Sequence, residues 1–168
     1  MHATIRKRLA IVAAYAALAT IAATAQTASL PPNYIQVNAP FAQRIVVEEM
    51  QKHSNQIQKI GLHAVPPGAR DNVIIASNLP EKIGKKSSPA DLAIVAAGKP
   101  HVLRDEKGRF YDLAFPITDR EGKDLGGGLL VMEVPFADAS SEEEALKIGA
   151  VICNGLKMQI DSKDELYH

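Results

Sequence analysis

Three lysines surround a short glycine loop in the middle of the chain. Lys82, Lys85 and Lys86 flank Gly84, and Ser88 follows them as a helix N-cap. Lysine ammonium groups and the free N–H groups at a helix N-terminus both attract anions. This spacing favours a site for a small carboxylate or another small anion. The alternative is a solvated surface loop, because lysine is mostly exposed in folded proteins.

A second group of polar side chains lies on two neighbouring predicted strands. His101 begins the first of these strands, and Tyr111 and Asp112 lie near the start of the next. Small-molecule pockets are mostly apolar with a few convergent polar groups, so these three residues and Lys86 form the predicted ligand-binding set. The alternative is an ordinary hairpin surface. If Asp112 is covered, it needs a partner or water, because an uncompensated buried carboxylate is costly.

The same types of side chain give little support to metal binding or catalysis. His53, His63 and His101 are far apart in the chain, and no pair of them has the spacing of a zinc site. Ser88 is explained as a helix cap, and Cys153, the only cysteine, is explained by packing. No serine or cysteine stands in a known nucleophile motif. We therefore predict no metal, no cofactor and no enzymatic activity, with an envelope enzyme of unassigned reaction as the alternative.

The first element that positions these residues is a predicted amphipathic helix over residues 41–60. Val46, Ile57 and Ile60 belong to its apolar stripe, and charged and amide side chains cover the other face. Gly61 is expected to end the helix. The segment 61–68, rich in glycine and proline, then leads as a turn into the first strand.

A sheet is predicted to follow, because four segments have the apolar pattern of strands. The last three are joined by short hairpin turns, which makes them antiparallel. The first strand is expected to lie beside the last. In the third strand, Tyr111 and Leu113 share one face and Asp112 lies on the other. The predicted strands are 72–78, 101–104, 109–117 and 125–134.

Two further helices are predicted around this sheet. Ser88, Pro89 and Asp91 form a helix start, and the residues 92–97 that follow are almost wholly apolar, which predicts burial on most sides. Ser141 begins a C-terminal helix whose apolar stripe extends to residue 160. The predicted class is therefore α+β, a central antiparallel sheet flanked by a long N-terminal helix, a short inner helix and a C-terminal helix.

Several short motifs resemble a single Cache domain, the extracytoplasmic relative of the PAS fold, across residues 41–160. They are IIASN at 74–78, IGK at 83–85, SPADL at 88–92, PITDREG at 116–122 and LG at 125–126. Cache domains are commonly sensory ectodomains, with a pocket between the sheet and the helices on one face. The resemblance thus implies a small-molecule sensor. Because no signalling segment is recognised after residue 160, we expect a separate partner, such as a membrane receptor or a second copy. An interaction or dimerisation module without ligand is the alternative.

The N-terminus has the pattern of a secretory signal peptide. A basic start at residues 6–8, an apolar run over 9–23 and small residues up to Ala25 predict cleavage near Ala25. An uncleaved membrane anchor is the alternative. Removing residues 1–25 removes three of the 19 basic side chains and none of the 19 acidic ones, which leaves 16 against 19 and a formal charge of −3. That charge argues against nucleic-acid binding.

These patterns divide the chain into a signal peptide at 1–25, a linker at 26–40, a Cache-like domain at 41–160 and a polar tail at 161–168. The expected location is the periplasm or the medium. A lone cysteine excludes an intramolecular disulfide.

Overall fold

The computed structural model describes residues 30–168. The predicted signal peptide at 1–25 lies outside the described residues. Within residues 30–168, no helix has the length and apolar character needed to cross a bilayer.

Five strands form one sheet in the order β2-β1-β5-β4-β3, and every neighbouring pair is antiparallel. This confirms the predicted antiparallel sheet and its hairpins. The expected pairing of the 72–78 strand with the last strand is wrong, because β1 lies between them. The strands are β1 Lys59–Ala64, β2 Val73–Ser77, β3 His101–Asp105, β4 Phe110–Thr118 and β5 Asp124–Pro135.

The N-terminal helix is shorter than its apolar pattern predicts. Helix α1 spans Pro40–Lys52, and residues 59–64 form β1. Ile60 and Leu62 are buried on one face, which is the period-two pattern of a strand. The prediction of a helix to residue 60 is wrong. Ile57 and Ile60 also match helical spacing, and the spacing alone does not show the turn that separates α1 from β1.

Helices α1 and α3, the latter spanning Glu142–Lys157, pack on one face of the sheet. The main apolar core lies between these two helices and the sheet. The face of β4 predicted to be uniform is buried there, since Tyr111, Leu113, Phe115 and Ile117 are each at most 5% exposed. Across it lie Ala145, Ile152 and Leu156 of α3, as the predicted apolar stripe requires.

Helix α2, Pro89–Ala97, lies on the other face of the sheet, over β4 and β5. Its predicted capping is confirmed: the Ser88 side chain accepts from the Asp91 N–H, and Asp91 accepts from the Ser88 N–H. The predicted burial on most sides is wrong. None of its residues is buried, and Leu92 is 45% exposed, because α2 is a single outer layer that contacts protein on one side only.

Both segments outside the predicted domain pack on it. In the predicted linker, the Ile35 N–H donates to the Gly84 carbonyl at 2.9 Å, and Ala39 is buried. In the predicted polar tail, residues 164–167 form a 3-10 helix that contacts α1, and Leu166 is fully buried in the core. The packed unit therefore extends beyond residues 41–160 at both ends.

Candidate functional site

A cavity of about 220 Å³ lies on the sheet face opposite the main core, under α2 and the loop that precedes it. Its floor consists of strand residues and its rim of loop and helix residues. The lining residues are Lys59, Gly61 and His63 of β1, Ile74 and Ser77 of β2, Lys82 and Lys85 of the loop, Asp91 of α2, Asp112 of β4 and Val131 of β5.

Strand alternation explains how polar side chains reach this floor. In β1, Ile60 and Leu62 belong to the core, so Lys59, Gly61 and His63 lie on the cavity side. The same rule places Asp112 on the cavity side of β4 between two core residues. The register puts Asp112 opposite Glu133 of β5, and Glu133 opposite Lys59 of β1. A row of charged residues thus crosses three neighbouring strands.

His63 is held by a chain of hydrogen bonds that sets its tautomer. The Asn72 amide nitrogen donates to the Gly126 and Gly127 carbonyls, so its oxygen is the acceptor for the Ser87 hydroxyl at 2.6 Å. A hydroxyl has one proton, so His63 Nδ1 must donate to Ser87 Oγ, at 2.7 Å. His63 Nε2 is then an acceptor, and it makes no hydrogen bond within the described residues.

Burial keeps the His63 ring neutral. Its pKa is lowered from 6.5 to about 4, mainly by removal from water. Asp91 opposes this shift, and the positive charges of Lys59 and Lys85 add to it. The ring therefore presents a neutral acceptor to the cavity at neutral pH. It is also not a base for Ser87, since Ser87 gives its proton to Asn72.

Asp112 is the unsatisfied group of the site. Its Oδ1 is buried and has no hydrogen-bond partner among the described residues. Burial raises the pKa of this carboxyl, and the negative charges of Glu133, Asp91 and Asp105 raise it as well, against the opposing effect of Lys59. The partner that a covered Asp112 needs is thus not supplied by the described residues. A buried acceptor without a donor is uncommon in native structures.

The cationic side chains differ in how they are compensated. Lys59 forms an ion pair with Glu133 at 2.6 Å. Lys82 and Lys85 line the cavity and form no ion pair within residues 30–168. These two ammonium groups are therefore available to an anionic group in the cavity.

The structure separates the four predicted ligand-binding residues. Asp112 lines the cavity described above, and His101 lines a neighbouring cavity of the same volume, about 220 Å³, which Asp112 lines as well. Lys86 lines neither of them and pairs with Asp71 at 2.7 Å. Tyr111 is on the opposite face, 1% exposed in the core, and its hydroxyl accepts from the Arg104 guanidinium. Tyr111 therefore does not line the cavity, although the predicted ligand-binding set required this. Along β4 it alternates with Asp112 and so faces the opposite side of the sheet.

Sequence reasoning missed Lys59, Gly61 and His63 as lining residues because it placed residues 59–60 in a helix and 61–68 in a turn. The signal for them was present. Ile60, Leu62 and Ala64 alternate with more polar or smaller residues, as expected for a strand with one buried face.

Metal binding and thiol chemistry find no support in the part of the chain that the structure describes. No three His, Cys, Asp or Glu side chains within residues 30–168 are placed to hold a metal ion. Burial raises the pKa of the Cys153 thiol to about 11, so it stays protonated at neutral pH and packs against the core.

No family model and no curated protein sequence matches the chain. Solved structures are similar to it in fold at low sequence identity. The GAF domain of a two-component sensor histidine kinase from Bacillus halodurans has a TM-score of 0.50 and 9% identity, over 70% of this chain and 92% of that one. A GAF domain from an Acinetobacter phosphoenolpyruvate-protein phosphotransferase has a TM-score of 0.47 and 14% identity, over 71% and 87%. The Agobacterium tumefaciens repressor BlcR has a TM-score of 0.45 and 13% identity, over 72% and 67%.

The likeness to the Bacillus halodurans domain bears on the fold alone. Its identity with this chain is too low to transfer a ligand or an activity. Together with the five-stranded antiparallel sheet and its three helices, it confirms the predicted class: the chain has an α+β fold of the GAF and PAS type.

Proposed function

We propose that this protein binds a small molecule in the cavity between the sheet and the segment 82–97, and that it acts as a Cache-like sensor domain without catalysis. One observation carries the proposal. Asp112 Oδ1 is buried at the wall of the cavity with no partner in the described chain. Buried polar atoms are nearly always hydrogen-bonded, so a bound molecule that donates to this oxygen accounts for it.

Two further features are in keeping with this function. The cavity lies on the sheet face away from the main core, so a ligand can enter it without disturbing the packing of α1 and α3. The GAF domain with a TM-score of 0.50 belongs, by its name, to a sensor kinase. At about 220 Å³ the cavity is below the range of drug-sized pockets, which favours a metabolite of few heavy atoms.

The test combines a ligand screen with a blocked cavity. Gly61 lines the cavity, and a Cβ at this position would meet no atom closer than 3.8 Å. Gly61→Leu is therefore expected to fold and to fill the cavity with its side chain. Ala93→Leu, on an exposed position of α2, is the matched control.

We expect a screen of small carboxylates, amino acids and amines to find a molecule that raises the unfolding temperature of the purified protein. At a hundred times its dissociation constant such a ligand adds about 2.7 kcal/mol of stability. The shift should remain in Ala93→Leu and disappear in Gly61→Leu. A shift that survives in Gly61→Leu, or a screen without any hit, would count against the proposed site.

We further propose that the protein works in the cell envelope after export, and that it reports ligand binding to a separate partner, a membrane receptor or a second copy. The pattern of residues 1–25 supports export. Cell fractionation followed by N-terminal sequencing should find a chain that begins near Gln26 in the periplasm or medium. Recovery of the full-length chain only from membranes would contradict this location.

A further inference from the structure

The charges around the cavity are separated along the order of the strands. The lysines belong to β1 and to the loop after β2, whereas the two carboxylates belong to β4 and α2. Val131 of the intervening β5 gives an apolar floor between them. Neighbouring strands lie about 4.8 Å apart, so the axes of β1 and β4 are roughly 10 Å apart. Lys82 and Lys85 therefore mark a cationic end and Asp112 an anionic end, with the apolar Val131 between them. Asp91 acts on both His63 and Asp112 and lies nearer the middle.

The anionic end is short of a positive charge. Lys59 is already paired with Glu133, at 2.6 Å, so it compensates that carboxylate. Asp112 and Asp91 remain, and neither forms an ion pair within the described residues. Asp91 accepts from a backbone N–H, but Asp112 Oδ1 accepts from nothing there. An ammonium group at Asp112 would donate to this oxygen and offset both charges, which a neutral hydroxyl would not.

The cationic end lacks a negative charge. Lys82 and Lys85 form no ion pair within residues 30–168, although both line the cavity. Lys86, the next residue in the chain, is neutralised by Asp71 outside the cavity. A carboxylate or a similar anionic group is the complement of two unpaired ammonium groups.

His63 lines the cavity from β1, on the side of the cationic end. Its Nδ1–H is used by Ser87, so the group it offers to the cavity is the acceptor Nε2. Asp112 Oδ1 is the buried side-chain atom that lacks a partner within residues 30–168, and Nε2 is not. Water can therefore donate to this nitrogen, and His63 does not decide the charge of the ligand.

From this arrangement we propose that the ligand is a small zwitterion, with a protonated amine at Asp112 and an anionic group at Lys82 and Lys85. The class is that of amino acids and short amino carboxylates. This inference rests on the proposed binding function and narrows the earlier expectation of a simple carboxylate, because an anion alone would leave Asp112 Oδ1 without a donor.

The test uses probes that differ by a single charge. Leucine is compared with 4-methylpentanoate and 3-methylbutylamine, and 4-aminobutanoate with butanoate and butylamine, by calorimetric titration of the purified protein. The same comparison is extended to the other α-amino acids and short ω-amino acids. We expect at least one zwitterion to bind about tenfold or more tightly than both of its single-charge counterparts.

Substitutions then locate the two ends. Asp112→Asn should weaken binding of the zwitterion about tenfold or more and leave binding of its carboxylate counterpart unchanged. Lys82→Gln and Lys85→Gln should weaken binding of both the zwitterion and the carboxylate. Lys86→Gln, the control, should change neither, because that lysine lies outside the cavity and is paired with Asp71.

The possible negative results distinguish the zwitterion inference from the proposed binding function. A carboxylate that binds as tightly as its zwitterion, with Asp112→Asn without effect, would overturn the zwitterion class and leave the binding function intact. If none of the zwitterions binds, this inference is wrong as well, and a hit of another chemical class that Gly61→Leu abolishes would still support the proposed cavity. A screen in which no compound binds would overturn both.

Discussion

Tyr111 and Asp112 are neighbours in the chain but face opposite sides of β4. Tyr111 is 1% exposed and packs against Phe136 in the core, with ring centroids 4.8 Å apart. Asp112 lines the cavity. The side-chain period of a strand is two residues, so one position separates a structural residue from a candidate binding residue.

Asp112→Asn should stabilise the unliganded protein at neutral pH. Burial raises the pKa of the carboxyl above 3.8, so the folded state is penalised for keeping it ionised. The penalty is present above the folded pKa and is lost as the pH falls to 3.8 and below, so the variant's advantage should shrink on acidification. Thermal unfolding at pH 7.5 and pH 4 measures it, and a gain of 1 kcal/mol would appear as roughly 4 °C. A variant less stable than the parent at pH 7.5 would mean that the carboxylate has a partner in the folded protein.

His63 should make the protein sensitive to acid. The unfolded chain takes up a proton at this histidine as the pH falls through 6.5, whereas the folded chain does so only near 4. Stability is therefore lost across this window, by an amount on the order of 3 kcal/mol. Lys59 and Lys85 act with burial, and Asp91 acts against it.

The measurement for His63 is urea unfolding of parent and variant between pH 7.5 and pH 4. His63→Gln keeps an N–H donor for Ser87 and removes the titrating ring, so its stability should fall less on acidification. His101→Gln changes an exposed histidine and should behave like the parent. Equal acid sensitivity in His63→Gln and the parent would show that His63 is not the source of the acid sensitivity.

At the scale of elements, β1 has the largest effect on the site. It pairs with β2 on one side and β5 on the other, and it contributes Lys59, Gly61 and His63 to the cavity. Six residues are too few for periodicity to distinguish a strand from the end of a helix. The two partner strands determine that residues 59–64 form a strand, because a segment between two strands satisfies all its backbone hydrogen bonds only as a strand.

The loop before α2 depends on its contact with the N-terminal segment. Gly84 has φ +86°, and a Cβ there would overlap the Ile35 carbonyl oxygen. Gly84→Ala should therefore cost about 2–5 kcal/mol, from backbone strain and overlap together. Gly98→Ala, at φ +62° with nothing within 4 Å, carries the strain alone and should cost about 1–2 kcal/mol. Urea unfolding of both variants tests this, and equal costs would show that the Ile35 contact contributes nothing.

At the scale of the whole molecule, the two ends of the described chain complete the core. The 3-10 helix at 164–167 packs on α1, and the Gln159 amide donates to the buried carboxylate of Glu49 at 2.8 Å. Leu166 is fully buried. The last residues are therefore part of the folded unit, although their composition is polar.

Leu166→Ala should destabilise the protein by about 2–5 kcal/mol, because it removes a buried side chain and leaves a cavity. Leu103→Ala is the matched control, since Leu103 is 58% exposed on the edge strand β3. It should change stability by no more than about 0.5 kcal/mol. Denaturant unfolding compares them, and an effect of Leu166→Ala as small as the control's would contradict the docking of this segment.

The sequence by itself determined the local parts of this protein. The Ser88 cap, the hairpins that join β3, β4 and β5, the alternation along β4 and the apolar stripe of α3 all depend on residues a few positions apart. Turn and cap preferences act over the same short range, so these parts can be predicted without knowing the rest of the chain.

Only the tertiary structure decided the site. Whether residues 59–64 are helix or strand, whether α2 is exposed, and which lysines face the cavity all depend on segments far away in the chain. Lys85 and Lys86 show the reason, since they are adjacent in sequence yet one lines the cavity and the other pairs with Asp71. Burial and pairing are properties of the assembled layers, and local propensity yields to them wherever the two conflict.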